Sequence, residues 1–124
     1  MARILVIDDE ASICDLLKEI LAGHGHQVET AADGREAVQL VRKNPYDLLI
    51  LDRNMPFMTG LEAARMIRAD TTSANRNVKI LICTSASFPR EVDEAFDAGA
   101  NDYLLKPINL KILMQKVQSL LGAK

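Results

Sequence analysis

The sequence predicts an α/β protein with a five-stranded parallel sheet and helices on both faces. Five short apolar runs alternate along the 124 residues with five segments in which apolar residues recur at helical spacing. The runs ILVI, LLIL and ILIC are continuous rather than alternating, which is typical of strands that are buried on both faces. Strict alternation of strands and helices implies right-handed crossovers, which place helices on either side of the sheet.

The strands are expected at the apolar runs. The second run, QVETA, alternates apolar and polar residues, so it is expected at an edge of the sheet. The predicted strands are Arg3–Ile7, Gln27–Ala31, Leu48–Leu51, Lys79–Cys83 and Asp102–Leu105.

A helix is expected after each strand. The first helix has apolar residues at positions 13, 16, 17, 20 and 21, which form one stripe along its surface. Gly23, Gly99 and Gly122 follow the first, fourth and fifth helices, and Asn109 is placed to cap the fifth. The predicted helices are Ala11–Ala22, Arg35–Lys43, Leu61–Ala69, Arg90–Ala98 and Leu110–Leu121.

The composition is that of one ordinary globular domain, expected to span residues 1–124. A net charge of −2, with both signs spread along the chain, gives no nucleic-acid footprint. The opening MARILVID leads directly into a strand, so neither a targeting segment nor a membrane span is expected. Cys14 and Cys83 fall within predicted elements and are expected to be reduced core residues. These features favour a cytoplasmic protein without direct contact to nucleic acid or membrane.

Five polar side chains directly follow the apolar runs. They are Asp8 and Asp9 in ILVIDDE, Asp52 in LLILDRNMP, Thr84 in ILICTSA and Lys106 in YLLKP. Ligands of open parallel sheets bind beyond the carboxyl ends of the strands, so we expect all five in one crevice. Three carboxylates placed together repel one another, and a cation relieves that repulsion.

This donor set suits a phosphoryl transfer assisted by Mg²⁺, with Asp52 as the nucleophile. Mg²⁺ prefers oxygen ligands and keeps several waters, so Asp9 and Asp52 are expected as direct ligands, with Asp8 holding a metal-bound water. The backbone carbonyl of Asn54 would complete the set. Lys106 would meet the incoming negative charge, and the Thr84 hydroxyl would add a neutral donor.

Each residue taken alone has a simpler interpretation. An acidic run before a helix often caps it, and an Asp, Thr or Lys after a strand is often a loop residue. Their joint occurrence at successive strand ends is what favours a site.

The same residues carry a family resemblance. ILVIDDE, AADGREAV, DLLILDRNMPFMTGLE and AGANDYLLKP resemble a receiver domain of bacterial two-component response regulators of the single-domain, chemotaxis-regulator-like type, over essentially the whole chain. The resemblance implies a flavodoxin-like strand order 2-1-3-4-5 and Asp52 as phosphoacceptor. It further implies Asp8 and Asp9 as the acidic pair, Thr84 as switch hydroxyl, and Lys106 as the lysine that contacts phosphate.

Further roles follow from the resemblance alone. Tyr103 matches the switch aromatic, and Lys106–Pro107 matches a bond that is usually cis. Thr59 stands where the family commonly has Asp, and Ala86, two residues past Thr84, cannot orient water. The expected partners are a sensor histidine kinase or a histidine phosphotransfer protein, and a target protein on the face of helix 4, strand 5 and helix 5. A dimer linked to phosphorylation is a further expectation.

Two other functions use similar folds. A phosphatase of the haloacid-dehalogenase kind also has an aspartyl nucleophile, but it needs an acid two residues later, where this chain has Asn54. A flavodoxin-like cofactor module should offer hydroxyls and glycines to phosphate, whereas Asp8-Asp9-Glu10 would repel one. The preferred hypothesis is a signalling switch, not an enzyme in its own right, either as a stand-alone receiver or as a piece of a larger regulator.

Overall fold

The ten predicted elements are all present in a computed structural model, which describes residues 2–85 and 89–122. No predicted boundary differs from the structure by more than one residue. The strands are β1 (Arg3–Ile7), β2 (Gln27–Ala31), β3 (Leu48–Asp52), β4 (Lys79–Thr84) and β5 (Asp102–Leu105). The helices are α1 (Ala11–Gly23), α2 (Gly34–Lys43), α3 (Gly60–Ala69), α4 (Pro89–Asp97) and α5 (Leu110–Leu120).

The strands form one parallel sheet in the order β2-β1-β3-β4-β5, which confirms the predicted fold. The central strands β1, β3 and β4 are almost wholly buried, in keeping with their continuous apolar runs. The alternating β2 lies at an edge and is mostly half-buried, as its pattern predicts. The order reverses between β1 and β3, so the crevice of this sheet lies beyond their carboxyl ends.

Two apolar clusters cover the two faces of the sheet. One face packs against α2, α3 and α4, and the other against α1 and α5. Full burial of each large aliphatic side chain contributes about 1.5–3 kcal/mol. Because both faces are covered, the polar chemistry of the chain is left to the edge where the strands end.

Local signals set where several helices begin. Asn109 accepts a hydrogen bond from the Ile112 backbone N–H and caps α5, as predicted. Thr59 forms a capping box with Glu62 at the start of α3, which gives this departure from the family pattern a structural role. At the end of α1, Gly23 is the last helical residue rather than the one after it. The left-handed position there is Gly25, at φ +91°.

The loop between α3 and β4 is anchored by Asn75, which is almost fully buried. Its side-chain oxygen accepts a hydrogen bond from the backbone N–H of Tyr46. Its amide nitrogen donates to the carbonyls of Val41 and Asn44. None of the helices in the described part of the chain is long and apolar enough to cross a bilayer.

Candidate functional site

The sheet brings the predicted site residues to one edge. Asp52 and Thr84 are the last residues of β3 and β4, and Asp8 directly follows β1. Asp8, Asp52 and Thr84 are at most 5% exposed. Burial of this degree is unusual for the two carboxylates. Asp9 is exposed at the mouth of the crevice.

The acidic residues lie close enough together to share one cation. Carboxylate oxygens of Asp8, Asp9 and Asp52 lie within 4.8 Å of one another. Three carboxylates at this spacing are the hard oxygen donors that Mg²⁺ prefers, so the residues present fit a divalent cation.

The simpler reading of the acidic run as a helix cap does not hold. Glu10 is the N-cap residue of α1, and its side chain makes no capping hydrogen bond. Instead, an Asp8 oxygen accepts the Glu10 backbone N–H at 2.9 Å, which orients the Asp8 carboxylate at the site. A cavity of about 210 Å³ opens beside Asp8 and Asp9. A larger cleft of about 740 Å³ elsewhere on the surface contains none of the predicted site residues.

Lys106 bridges the two buried carboxylates. Its Nζ lies 3.1 Å from an Asp52 oxygen and 3.3 Å from an Asp8 oxygen. Its backbone N–H donates to the Thr84 carbonyl, and its bond to Pro107 is cis, as the resemblance implied. The ammonium is therefore placed where a group attached to Asp52 would need positive charge.

Ionisation at the site reflects burial and crowding. Burial raises the pKa of Asp52, and the charge of Asp8 raises it further, while the hydrogen bond from Lys106 opposes both. Burial alone would lower the pKa of Lys106, but its contacts with Asp52 and Asp8 outweigh this and raise it. The Asp52 carboxylate thus lacks full compensation even with Lys106 in place, and a further cation would favour its charged form.

The loop after Asp52 is held tightly against the sheet. The Arg53 backbone N–H donates to the Cys83 carbonyl, and the Arg53 carbonyl accepts from the Gly60 N–H at 2.8 Å. A Cβ at Gly60 would lie 2.2 Å from the Asp52 carbonyl oxygen, so only glycine fits there. Within the loop, the Asn54 backbone N–H points toward an Asp52 carboxylate oxygen at 3.4 Å.

Thr84 and Tyr103 lie on the same face of the sheet. Tyr103 pairs in register with Ile82, and Thr84 pairs with Leu105, so the two polar side chains are diagonal neighbours. Thr84 is buried, and Tyr103 is partly exposed.

The Tyr103 ring packs at its edge against Phe96 of α4, with ring centroids 6.2 Å apart. The Lys116 ammonium lies 4.6 Å from the centre of the same ring. Tyr103 therefore connects the strand edge near Thr84 to both α4 and α5.

Sequence reasoning missed one residue beside the site. Arg53 directly follows Asp52, yet its guanidinium reaches across to α4. A cation after an acidic strand end resembles any loop residue, so the sequence carries no signal for this contact. Ala86, which the sequence analysis singled out, lies outside the described residues.

Known proteins resemble this chain in both sequence and fold. The family model of the response regulator receiver domain matches residues 4–118. Response regulator MprA of Mycolicibacterium vanbaalenii is 39% identical over 119 residues, which are 96% of this chain and 50% of that protein. The corresponding protein of Mycobacterium leprae is 38% identical over the same length. The chain spans about half the length of these curated relatives.

Solved structures agree with the sequence relatives. The chemotaxis protein CheY4 of Vibrio cholerae superposes with a TM-score of 0.90 at 37% identity, over 97% of this chain and 98% of that one. The receiver domain of sensor histidine kinase PA1611 from Pseudomonas aeruginosa superposes with a TM-score of 0.88 at 30% identity, over 98% of each chain. That structure has a magnesium ion coordinated in its active site cleft.

Proposed function

Because the chain belongs to the response regulator receiver domain family, a class of phosphorylation-dependent signalling domains, we propose that Asp52 is its phosphoacceptor. The donor would be a sensor histidine kinase or a histidine phosphotransfer protein, and the step would require Mg²⁺. Residues 1–124 would form the whole receiver unit. Neither the haloacid-dehalogenase-like phosphatase nor the flavodoxin-like cofactor module is favoured.

The placement of Lys106 between two buried carboxylates carries this proposal. A carboxylate that is to accept a phosphoryl group needs positive charge positioned before the group arrives. Lys106 lies 3.1 Å from Asp52, and Asp8 holds it from the other side at 3.3 Å. The ammonium is thus oriented without any contribution from the incoming group.

The transfer itself is a displacement at phosphorus. A bond forms from an Asp52 oxygen to phosphorus as the bond from phosphorus to the donor's imidazole nitrogen breaks, which leaves an acyl phosphate. Asp8, Asp9, Asp52 and the Asn54 carbonyl would hold Mg²⁺, which would offset the negative charge of the phosphoryl oxygens. Lys106 would contact one of those oxygens, and the Thr84 hydroxyl would donate to another. The domain assists its own modification in this way and acts as a phosphoacceptor.

The signal would leave the site through Thr84 and Tyr103. Movement of the buried Thr84 hydroxyl toward the phosphoryl oxygens would open space on the face that it shares with Tyr103. Tyr103 could then turn inward and give up its contact with Phe96, which would change the surface of α4, β5 and α5. A target protein or a second phosphorylated copy would read that surface, and we expect these events in the cytoplasm.

Phosphorylation of Asp52 is tested with a small donor. Wild-type protein incubated with acetyl phosphate and Mg²⁺ should gain one phosphoryl group by intact mass, and Asp52→Asn should gain none. Asp102→Asn is the matched control, because it neutralises an acid at a strand terminus that pairs with Lys116 away from the crevice. Full labelling of Asp52→Asn, or undiminished labelling of wild type in EDTA, would refute the assignment.

The switch is tested separately with Thr84→Ala. This variant should still take up phosphate, but amide exchange in α4 and β5 should no longer respond to it. An exchange response equal to that of wild type would remove Thr84 from the mechanism.

A further inference from the structure

Arg53 links the end of β3 to helix α4. Its backbone is pinned on both sides, by hydrogen bonds to Cys83 and from Gly60. From this fixed position its Nη1 donates to the Glu91 carbonyl in the first turn of α4, at 3.0 Å. Its Nη2 lies 3.8 Å from a carboxylate oxygen of Glu94. The residue next to the proposed phosphoacceptor thus contacts α4 directly.

Helix α4 buries few of its own side chains. The structure describes all nine of its residues, and Ala95 is the one that is buried. Phe96 is 43% exposed and contacts the partly exposed Tyr103 at its ring edge. A helix with so small an apolar contact is easily displaced. The Arg53 contact therefore adds a polar anchor in the first turns of the helix.

The contact also opposes the electrostatics of the helix. Glu91 is the third residue of α4, and a cation near a helix N-terminus is disfavoured by the helix dipole. The Arg53 side chain is 14% exposed, and its carboxylate neighbour Glu94 lies 3.8 Å away. Desolvation and the dipole both offset part of the attraction, so the strength of the contact depends on the position of Arg53 relative to α4.

We propose that Arg53 is a positioning residue that couples the state of Asp52 to the position of α4. The contact holds α4 in the arrangement of the unphosphorylated protein, and it weakens when the loop after Asp52 adjusts to a phosphoryl group. This inference rests on the proposed function of Asp52. A contact made only in the unphosphorylated state favours that state over the other by some factor. The affinity for a ligand that binds only the other state must then fall by that factor.

The test measures the affinity for beryllofluoride, a mimic of the phosphoryl group, in the presence of Mg²⁺. Arg53→Met keeps the apolar stem and removes the donors, so it should bind beryllofluoride at least about fivefold more tightly than wild type. Amide exchange across α4 should be faster in the unliganded variant. Arg53→Lys replaces the forked donor with a single ammonium, so its affinity for beryllofluoride should lie between those of wild type and Arg53→Met.

Arg90→Gln is the matched control. It also removes an arginine beside Glu94, at 3.9 Å, but the Arg90 side chain is 90% exposed and belongs to α4 itself. Its affinity and exchange should match those of wild type. An equal effect in Arg90→Gln would mean that losing any positive charge beside Glu94 is responsible, not the Arg53 contact, and would overturn the proposal.

The remaining outcomes are distinct. An Arg53→Met variant that melts at a lower temperature but binds beryllofluoride as wild type does would reduce Arg53 to a structural residue and overturn the coupling. If Arg53→Met does not fold, Arg53→Lys carries the test, and wild-type affinity in that variant overturns it as well. Wild-type protein that fails to bind beryllofluoride at all would instead overturn the proposed function of Asp52.

Discussion

Replacing Lys106 by methionine should have opposite effects on stability and on magnesium affinity. In the metal-free protein, Lys106 is the cation nearest to two carboxylates that are at most 5% exposed. Breaking a buried ion pair by removing one partner costs about 3–5 kcal/mol. Because the Lys106 side chain is itself 22% exposed, solvent screening reduces this, and we expect a loss of about 3 kcal/mol in EDTA at pH 7.

Magnesium should restore part of that loss. Lys106 competes with a bound cation for Asp8 and Asp52, so its removal should lower the Kd for Mg²⁺ by about tenfold. At saturating Mg²⁺ a tenfold change adds about 1.4 kcal/mol to the metal's stabilising effect. The variant should therefore lie about 3 kcal/mol below wild type in EDTA and about 1.6 kcal/mol below it in Mg²⁺. Labelling by acetyl phosphate should slow by about 100-fold, since a pre-positioned charge is lost.

Urea unfolding followed by circular dichroism, in EDTA and in excess Mg²⁺, measures the loss of stability without metal and the stabilisation that Mg²⁺ provides. Lys116→Met is the matched control, because Lys116 is 25% exposed and lies 3.1 Å from Asp102, far from the acidic cluster. It should lose stability equally in both buffers. A Lys106→Met variant whose gain from Mg²⁺ is no larger than that of wild type would show that Lys106 and the metal do not share the carboxylates.

Three further outcomes are expected. Asn75→Ala should lower the free energy of unfolding by about 3 kcal/mol, because a buried side chain loses three hydrogen bonds. A loss below about 1 kcal/mol in a urea melt would contradict this. Cys83 should resist iodoacetamide at pH 8 in native protein but react in urea. Burial raises its pKa to about 12, so at pH 8 about one Cys83 side chain in ten thousand is a thiolate. Rapid labelling of the native protein would contradict the buried position of Cys83. Ala86→Gln should shorten the lifetime of the phosphoryl group, because glutamine supplies a side chain that can orient water. The lifetime is measured by intact mass after the donor is removed. A decay rate equal to that of wild type would mean that other groups orient the attacking water.

The sequence alone predicted the layered fold and which residues would meet at the candidate site. Continuous apolar runs require burial on both faces, and helical stripes between them require helices to cover those faces, so the layered architecture follows from the hydrophobic pattern. The strand order came only from the family resemblance. A parallel sheet then places every strand end at one edge. This geometry is why the sequence alone predicts that Asp8, Asp52, Thr84 and Lys106 lie together.

Tertiary structure decided the contacts that depend on side-chain reach and burial. Lys106 could have extended into solvent, and only the packed edge places it between Asp8 and Asp52. Asn75 lies in the polar stretch DTTSANRN, yet its side chain is buried and hydrogen-bonded to backbone groups far away in the chain. The link from Arg53 to Glu91 joins residues 38 apart, and no local pattern encodes it. Such contacts arise because a flexible polar side chain takes the partners that packing brings near, which the periodicity of a sequence does not specify.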